Sequence, residues 1–135
     1  MKQIVIEQLK RHEGYRGRPY QDTVGKLTVG YGRNLDDVGI TKGEAQFMLM
    51  NDIAIAEHDA RQLFPNFDLL TENRQAVLVN MAFNLGVDRL SYFRRLIKAV
   101  IESRFDDAAH EMLDSKWARQ VKGRALELAQ LMKDG

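Results

Sequence analysis

Glu13, Asp22 and Thr28 are polar residues at places where the local structure does not ask for them. Glu13 closes a short apolar-periodic stretch just before Gly14, so it sets a carboxylate at the negative end of a helix dipole, which disfavours it by up to about 1 kcal/mol. Asp22 follows nine residues later, ahead of the turn-like Val24-Gly25-Lys26, and Thr28 six residues after that. A hairpin turning at Gly25 would set Asp22 directly across from Thr28, and a helix end packed on it would bring two carboxyls and a hydroxyl into one cleft. Two carboxyls in unlike surroundings are what glycoside hydrolysis requires: one protonated to donate to the leaving oxygen, the other ionised. On spacing alone, two ordinary turn residues and a surface ion pair account for the same pattern.

Other chemistries find less support. His12, His58 and His110 lack metal-ligand spacing and the chain has no Cys, so neither a metal site nor a disulfide is expected. Gly30-Tyr31-Gly32 lacks the Gly-Lys-Ser/Thr ending of a phosphate loop, and no Gly-x-Ser-x-Gly elbow occurs. Twenty basic against nineteen acidic residues leave a net charge of +1, too small to point to nucleic acid. The charge is nevertheless uneven: seven basic and five acidic residues in 1–40, three and seven in 41–88, ten and seven in 89–135. Lys116, Arg119, Lys122 and Arg124 are close enough in sequence for a basic patch, but only Trp117 among them could stack on a base, so no nucleic-acid partner is expected.

The elements that must position these residues follow from composition and periodicity. With 135 residues, 44% of them hydrophobic, the chain is long enough for one domain with a core that needs no covalent staples. Lys2, Glu7 and Lys10 interrupt the first ten residues, so no secretory signal is read there, and no run reaches membrane-spanning length. Synthesis in a reducing cytoplasm is the expectation. Seven of the ten glycines fall between Gly14 and Gly43, which marks a region of turns and short strands. Ile4, Val5 and Leu9 predict a helix ending at Gly14. Leu27, Val29 and Tyr31 alternate with smaller or polar residues as in a half-buried strand, with Tyr20 to Thr23 as its partner. Thr41-Lys42-Gly43-Glu44 fits a capping box and opens a long helix through Ala45, Met48, Ile53, Ala56 and Ala60, which Pro65 ends. Thr71 caps the next, largely apolar helix, Gln75 to Leu85. Further helices are predicted near Ser91 to Ser103, Asp106 to Asp114 and Gly123 to Lys133. The expected fold is α+β and mostly helical, a single two-lobed domain: residues 1–40 as a small α+β lobe, 41–64 as a linking helix and 65–135 as a helical lobe, with a ligand cleft between lobes.

The quoted residues also carry a resemblance. His12-Glu13-Gly14, then Tyr20-Gln21-Asp22-Thr23-Val24-Gly25, then Leu27-Thr28-Val29-Gly30-Tyr31-Gly32 resembles the active-site segment of phage-type lysozymes, the muramidase endolysins of glycoside hydrolase family twenty-four. The likeness continues at Gly39-Ile40-Thr41-Lys42-Gly43-Glu44-Ala45, at Asn80-Met81-Ala82-Phe83-Asn84-Leu85-Gly86, and from Phe105 through Trp117 to Arg124. It implies a lysozyme-like fold and a glycosidase that cuts the β-1,4 bond between N-acetylmuramic acid and N-acetylglucosamine in peptidoglycan, lysing bacterial cells. By the same resemblance Glu13 is the general acid, Asp22 the ionised partner that stabilises the oxocarbenium-like transition state and orients water, and Thr28 a holder of that water. Arg124 matches the arginine that pairs with the catalytic Glu across the cleft; Asn84, Tyr31 and Trp117 fall on substrate-facing segments, with a core role for Trp117 equally open. No cofactor is implied, and a monomer that acts on glycan strands without inserting into membrane is the expectation. Such an enzyme accumulates in the cytoplasm and reaches the wall after release.

Two departures bear on this. Where the family often has His after Gly-x-Gly, this chain has Arg33, which is expected to pair with Asp52 on the long helix. The stretch from Thr28 to Thr41 is short where larger members carry extra strands, so a more open groove is expected. A catalytically silent peptidoglycan-binding module of the same fold is the main alternative, which the presence of Glu13, Asp22 and Thr28 together disfavours.

Overall fold

The computed structural model describes residues 1–135 of the chain, and its glycine-rich first third follows the predicted outline with a different register. Helix α1, Lys2–Glu13, stops at Gly14, whose φ of 71° is left-handed and whose N–H bonds Lys10 O at 3.0 Å. Glycine enters that conformation without the steric penalty an L side chain meets. Strand β1, Arg16–Gln21, pairs antiparallel with β2, Leu27–Gly30, and β2 with β3, Arg33–Asn34, in a sheet of order β1-β2-β3.

The strands correct the sequence reading in three places. β1 begins at Arg16 rather than Tyr20, because its register slips between Arg16 and Tyr20 and the bulge accommodates Pro19, which has no N–H to give to a ladder. Thr28 stands across from Tyr20, not Asp22, because the hairpin closes between Asp22 and Lys26, centred on Val24 rather than Gly25, and Asp22 belongs to the turn. β2 ends at Gly30, so Tyr31 lies in a tight turn between Gly30 and Gly32, with φ of 70° and 84°, that leads to an unpredicted third strand. Within β2 the buried side chain is Thr28, 3% exposed, while Leu27 and Tyr31 are exposed.

A compact polar turn follows β3. Asn34 Nδ2 donates to Asp37 Oδ2 and Asp37 N–H to Asn34 Oδ1, both at 3.0 Å, while Leu27 N–H donates to Asp36 Oδ2 at 2.7 Å. The predicted capping box forms: Glu44 N–H bonds Thr41 Oγ1 at 3.1 Å and Thr41 N–H bonds Glu44 Oε1 at 2.9 Å. It starts α2, Lys42–Leu63, a helix of 22 residues. By compactness the chain divides into residues 1–47 and 48–135, so α2 begins in the first unit and continues in the second.

The second unit holds the apolar core. Helix α3, Glu72–Leu85, is capped by Thr71, whose Oγ1 accepts the Arg74 N–H at 3.2 Å, and it buries Val77, Leu78, Met81, Ala82 and Leu85. The stretch predicted as Ser91 to Ser103 is two helices, α4 (Val87–Ser91) and α5 (Arg94–Ile101). Helices α6 (Phe105–Leu113) and α8 (Gly123–Asp134) lie where expected. Helix α7, Lys116–Val121, has no predicted counterpart, since six residues are too few to display a period; Ser115 Oγ caps it by accepting the Ala118 N–H at 3.1 Å. Buried Ala108, Ala109, Ala125 and Ala129 allow α6 and α8 to pack closely. Leu78, Met81 and Leu90 are fully buried, each worth roughly 1.5–3 kcal/mol over an exposed side chain. Eight helices and one small antiparallel sheet make a mostly helical α+β protein.

Candidate active site

In the first unit the peptide groups of Lys26 organise two of the three candidate residues. Asp22 Oδ1 accepts the backbone N–H of Lys26 at 2.8 Å and of Val24 at 3.0 Å, an Asx-type turn that needs a short side-chain acceptor at this position. Thr28 Oγ1 donates to Lys26 O at 2.9 Å, and Asp22 N–H donates to the same carbonyl at 2.9 Å. One peptide segment thus fixes both side chains from opposite directions in the chain. Because the Thr28 hydroxyl gives its proton to Lys26 O, its free lone pairs can only accept. Asp22 Oδ2 carries no protein partner, so it too is available as an acceptor.

Glu13 is the last residue of α1, as its spacing from Gly14 predicts, with Lys10, Arg11 and His12 filling the same last turn. The Lys10 and Arg11 side chains there offset the dipole that disfavours its carboxylate. Its side chain lies against Gly32: a Cβ on that glycine would sit 3.0 Å from Glu13 Oε2 and 3.1 Å from Cδ. Gly32 is thus needed twice, for its φ of 84° and for the close approach of the carboxyl. Beside it the Tyr31 ring is tilted against Tyr15, centroids 5.7 Å apart, with Lys10 Nζ 5.4 Å from the Tyr31 centroid.

Arg33 does not find the expected partner Asp52. Its guanidinium takes the Glu44 carboxylate in a fork, Nη1 to Oε1 at 2.8 Å and Nη2 to Oε2 at 2.6 Å, and Nη1 also donates to Gly39 O at 3.0 Å. The short 34–39 turn brings Glu44 into reach, so an acid in the first turn of α2 takes the place assigned to one farther along it. The Arg33 hydrogen bonds, followed by the Thr41 N–H, hold the Glu44 carboxyl down at about 2.

In the second unit Arg124 donates from Nε at 3.0 Å and Nη2 at 2.7 Å to Asn80 Oδ1, leaving Nη1 without a protein acceptor. Asn80 is not singled out by the sequence; its place one helical turn before Asn84, in a stretch from Ala76 to Leu85 that is otherwise apolar, is the available signal. Asn84 Oδ1 accepts the indole N–H of Trp117 at 2.7 Å. Trp117 is 3% exposed, so of its two roles the structure gives the core one, and Asn84 is the exposed partner that satisfies its buried N–H. The basic cluster in sequence is dispersed in space. Arg124 borders a groove with Phe83 and Asn80, Arg119 and Lys122 line another with Leu126, and Lys116 edges a cavity of about 550 Å³ with Arg89, Arg94 and Arg95.

Comparison with known proteins meets this geometry. The phage lysozyme family model matches residues 10–133. The chain is 31% identical to an endolysin of Acyrthosiphon pisum secondary endosymbiont phage 1, over 93% of this chain and 85% of that protein. It is 24% identical to probable T4-type lysozyme 1 of Dictyostelium discoideum, over 97% and 94% of the two chains. It is also 27% identical to the pre-baseplate central spike protein Gp5 of Enterobacteria phage T4, of which it spans only 28%. With the family match running from α1 to α8, and with the mostly helical α+β fold that the resemblance implied, this chain belongs to the phage lysozyme family.

Proposed function

We propose that the chain is a peptidoglycan hydrolase with lysozyme activity, cleaving the β-1,4 bond between N-acetylmuramic acid and N-acetylglucosamine and so lysing bacterial cells. The observation that supports this most directly is the pair of carboxyls in unlike settings: Asp22 fixed by two backbone N–H groups, and Glu13 laid on the apolar edge of Gly32. Glu13 donates a proton to the leaving glycosidic oxygen. Asp22, through its free Oδ2, and Thr28, through its lone pairs, both accept from one water and turn its oxygen toward the anomeric carbon; as that oxygen bonds to the carbon and the bond to the leaving oxygen breaks, the water's proton passes to the Asp22 carboxylate. Charge that develops on the sugar ring is balanced by the Asp22 carboxylate. Water as the nucleophile gives inversion at that carbon, and no cofactor takes part. The exposed Tyr31 ring offers a flat surface to a sugar, Arg124 Nη1 a donor to a glycan oxygen, and the Asn84 amide nitrogen, left free by the bond to Trp117, a second donor. The working form is a monomer acting on glycan strands; no helix is long and apolar enough to cross a membrane.

Clearing of outer-membrane-permeabilised Gram-negative cells by wild type and Glu13→Gln, at equal folded concentration, tests this reading. Loss of a general acid costs roughly 10²–10⁴-fold, so the variant is expected to clear no measurable turbidity. Asp22→Asn is the companion, since the amide oxygen can still accept from Val24 and Lys26 while the charge is gone; it should fold and fail to lyse. Clearing by folded Glu13→Gln at the wild-type rate would remove Glu13 from the reaction.

A further inference from the structure

We propose that Arg33 is a positioning residue for glycosidic cleavage, clamping the Gly30-Tyr31-Gly32 turn, on which the Glu13 carboxyl lies, to the start of α2 through Glu44 and the Gly39 carbonyl. This rests on the reading of Glu13 as the general acid. Arg33 follows Gly32 directly, so any movement of its backbone moves the surface under Glu13. Strand β3 is only two residues long and pairs through Val29 with Arg33 and through Thr28 with Asn34. A strand that short is a weak anchor by itself, and the guanidinium supplies the missing restraint with three hydrogen bonds to two separate segments. The base of the clamp is well held: Glu44 Oε1 also accepts the Thr41 N–H, which ties the same carboxylate to the first turn of a 22-residue helix. Arg33 thereby joins the end of the 34–39 turn, the helix start and the strand that carries Gly32 on its N-terminal side and faces Thr28. A planar fork fixes orientation as well as distance, which a lysine ammonium cannot reproduce.

Steady-state cleavage of soluble, uncrosslinked glycan strands tests the clamp. Glu44→Gln is the sharpest variant, because glutamine keeps the capping box while it loses the ion pair. Misplacement of a reacting group by about 1 Å can cost on the order of 10²-fold, so Arg33→Ala and Glu44→Gln should each lower kcat about tenfold with KM within about twofold of wild type. Arg33→Lys should recover part of the loss, and the double variant should be no worse than Arg33→Ala alone, since Arg33→Ala already removes the contact with Glu44. Thr41→Val removes the Oγ1 acceptor that caps α2 and leaves the clamp intact; at a temperature where circular dichroism shows it folded, it should keep the wild-type kcat. A wild-type kcat in Arg33→Ala or Glu44→Gln, multiplying losses in the double variant, or a Thr41→Val loss equal to that of Arg33→Ala would each overturn the proposal. Glu13→Gln, assayed alongside, separates the two levels: if it stays active the general-acid reading fails, whatever the Arg33 variants do.

Discussion

Residues 1–47 and 48–135 are held together by different physics. In the second unit the buried residues are apolar, from Ala56 through Leu78 and Met81 to Met132, and the helices meet on alanines. In the first unit the one buried polar side chain is Thr28, and shape comes from side chains bonded to backbone: Asp22 to Val24 and Lys26, Asp36 to Leu27, Arg33 to Gly39, Glu44 to Thr41. Directional polar contacts place individual atoms, and the candidate catalytic carboxyls sit in the unit built from them. An apolar core supplies stability in bulk and tolerates surface change. The comparison teaches that stability and chemistry should respond separately to mutation.

The largest expected effect lies in the apolar unit. Leu78→Ala, at a site with no solvent exposure, should cost about 2–5 kcal/mol and lower the melting temperature by many degrees, while kcat on soluble glycan, measured well below melting, stays at the wild-type value. A large drop in kcat with the protein folded would break the separation. Next comes a pair of glycines in the polar unit. Gly30→Ala and Gly32→Ala both force an L residue to positive φ, at a cost of roughly 1–2 kcal/mol, but a Cβ meets nothing within 4 Å at Gly30 and the Glu13 carboxyl at 3.0 Å at Gly32. Similar melting shifts with a much greater loss of turnover in Gly32→Ala are expected; equal turnover in the two would deny the contact a role.

The smallest effect is an acid limb of stability. Because the folded Glu44 carboxyl is held at about 2, below the usual carboxylate range, its ion contributes stability that is fully present above that range and is lost as pH falls toward about 2. Melting temperatures of wild type and Glu44→Gln should therefore converge between neutral pH and pH near 2. A constant gap across that range would show that the Arg33 pair is not its source.

How much of this was legible depended on the kind of signal. The end of α1 at Gly14, the Thr41 and Glu44 capping box and the Thr71 cap were readable, because each is a short-range device whose residues stand within a few positions of one another. The short α7 and β3 were not, since six residues and two display no period. Alternation misplaced the hairpin partner because the turn centres on Val24 rather than Gly25, so Thr28 faces Tyr20, and the register shift before Tyr20 hid the start of β1. Among the candidate site residues, type and spacing single out Glu13, Asp22 and Thr28 but only the resemblance gives them roles, whereas Asn80 beneath Arg124 and the fork from Arg33 to Glu44 depend on distances that only folding defines.

The most direct test is cleavage of purified peptidoglycan in water enriched in heavy oxygen, followed by mass spectrometry of the soluble fragments. If Asp22 and Thr28 hold a water that attacks while Glu13 protonates the leaving oxygen, wild type will release fragments ending in reducing muramic acid that carry one heavy oxygen, and folded Glu13→Gln will release none. Anhydromuramic ends without label, or labelled ends produced at the wild-type rate by Glu13→Gln, would contradict the account.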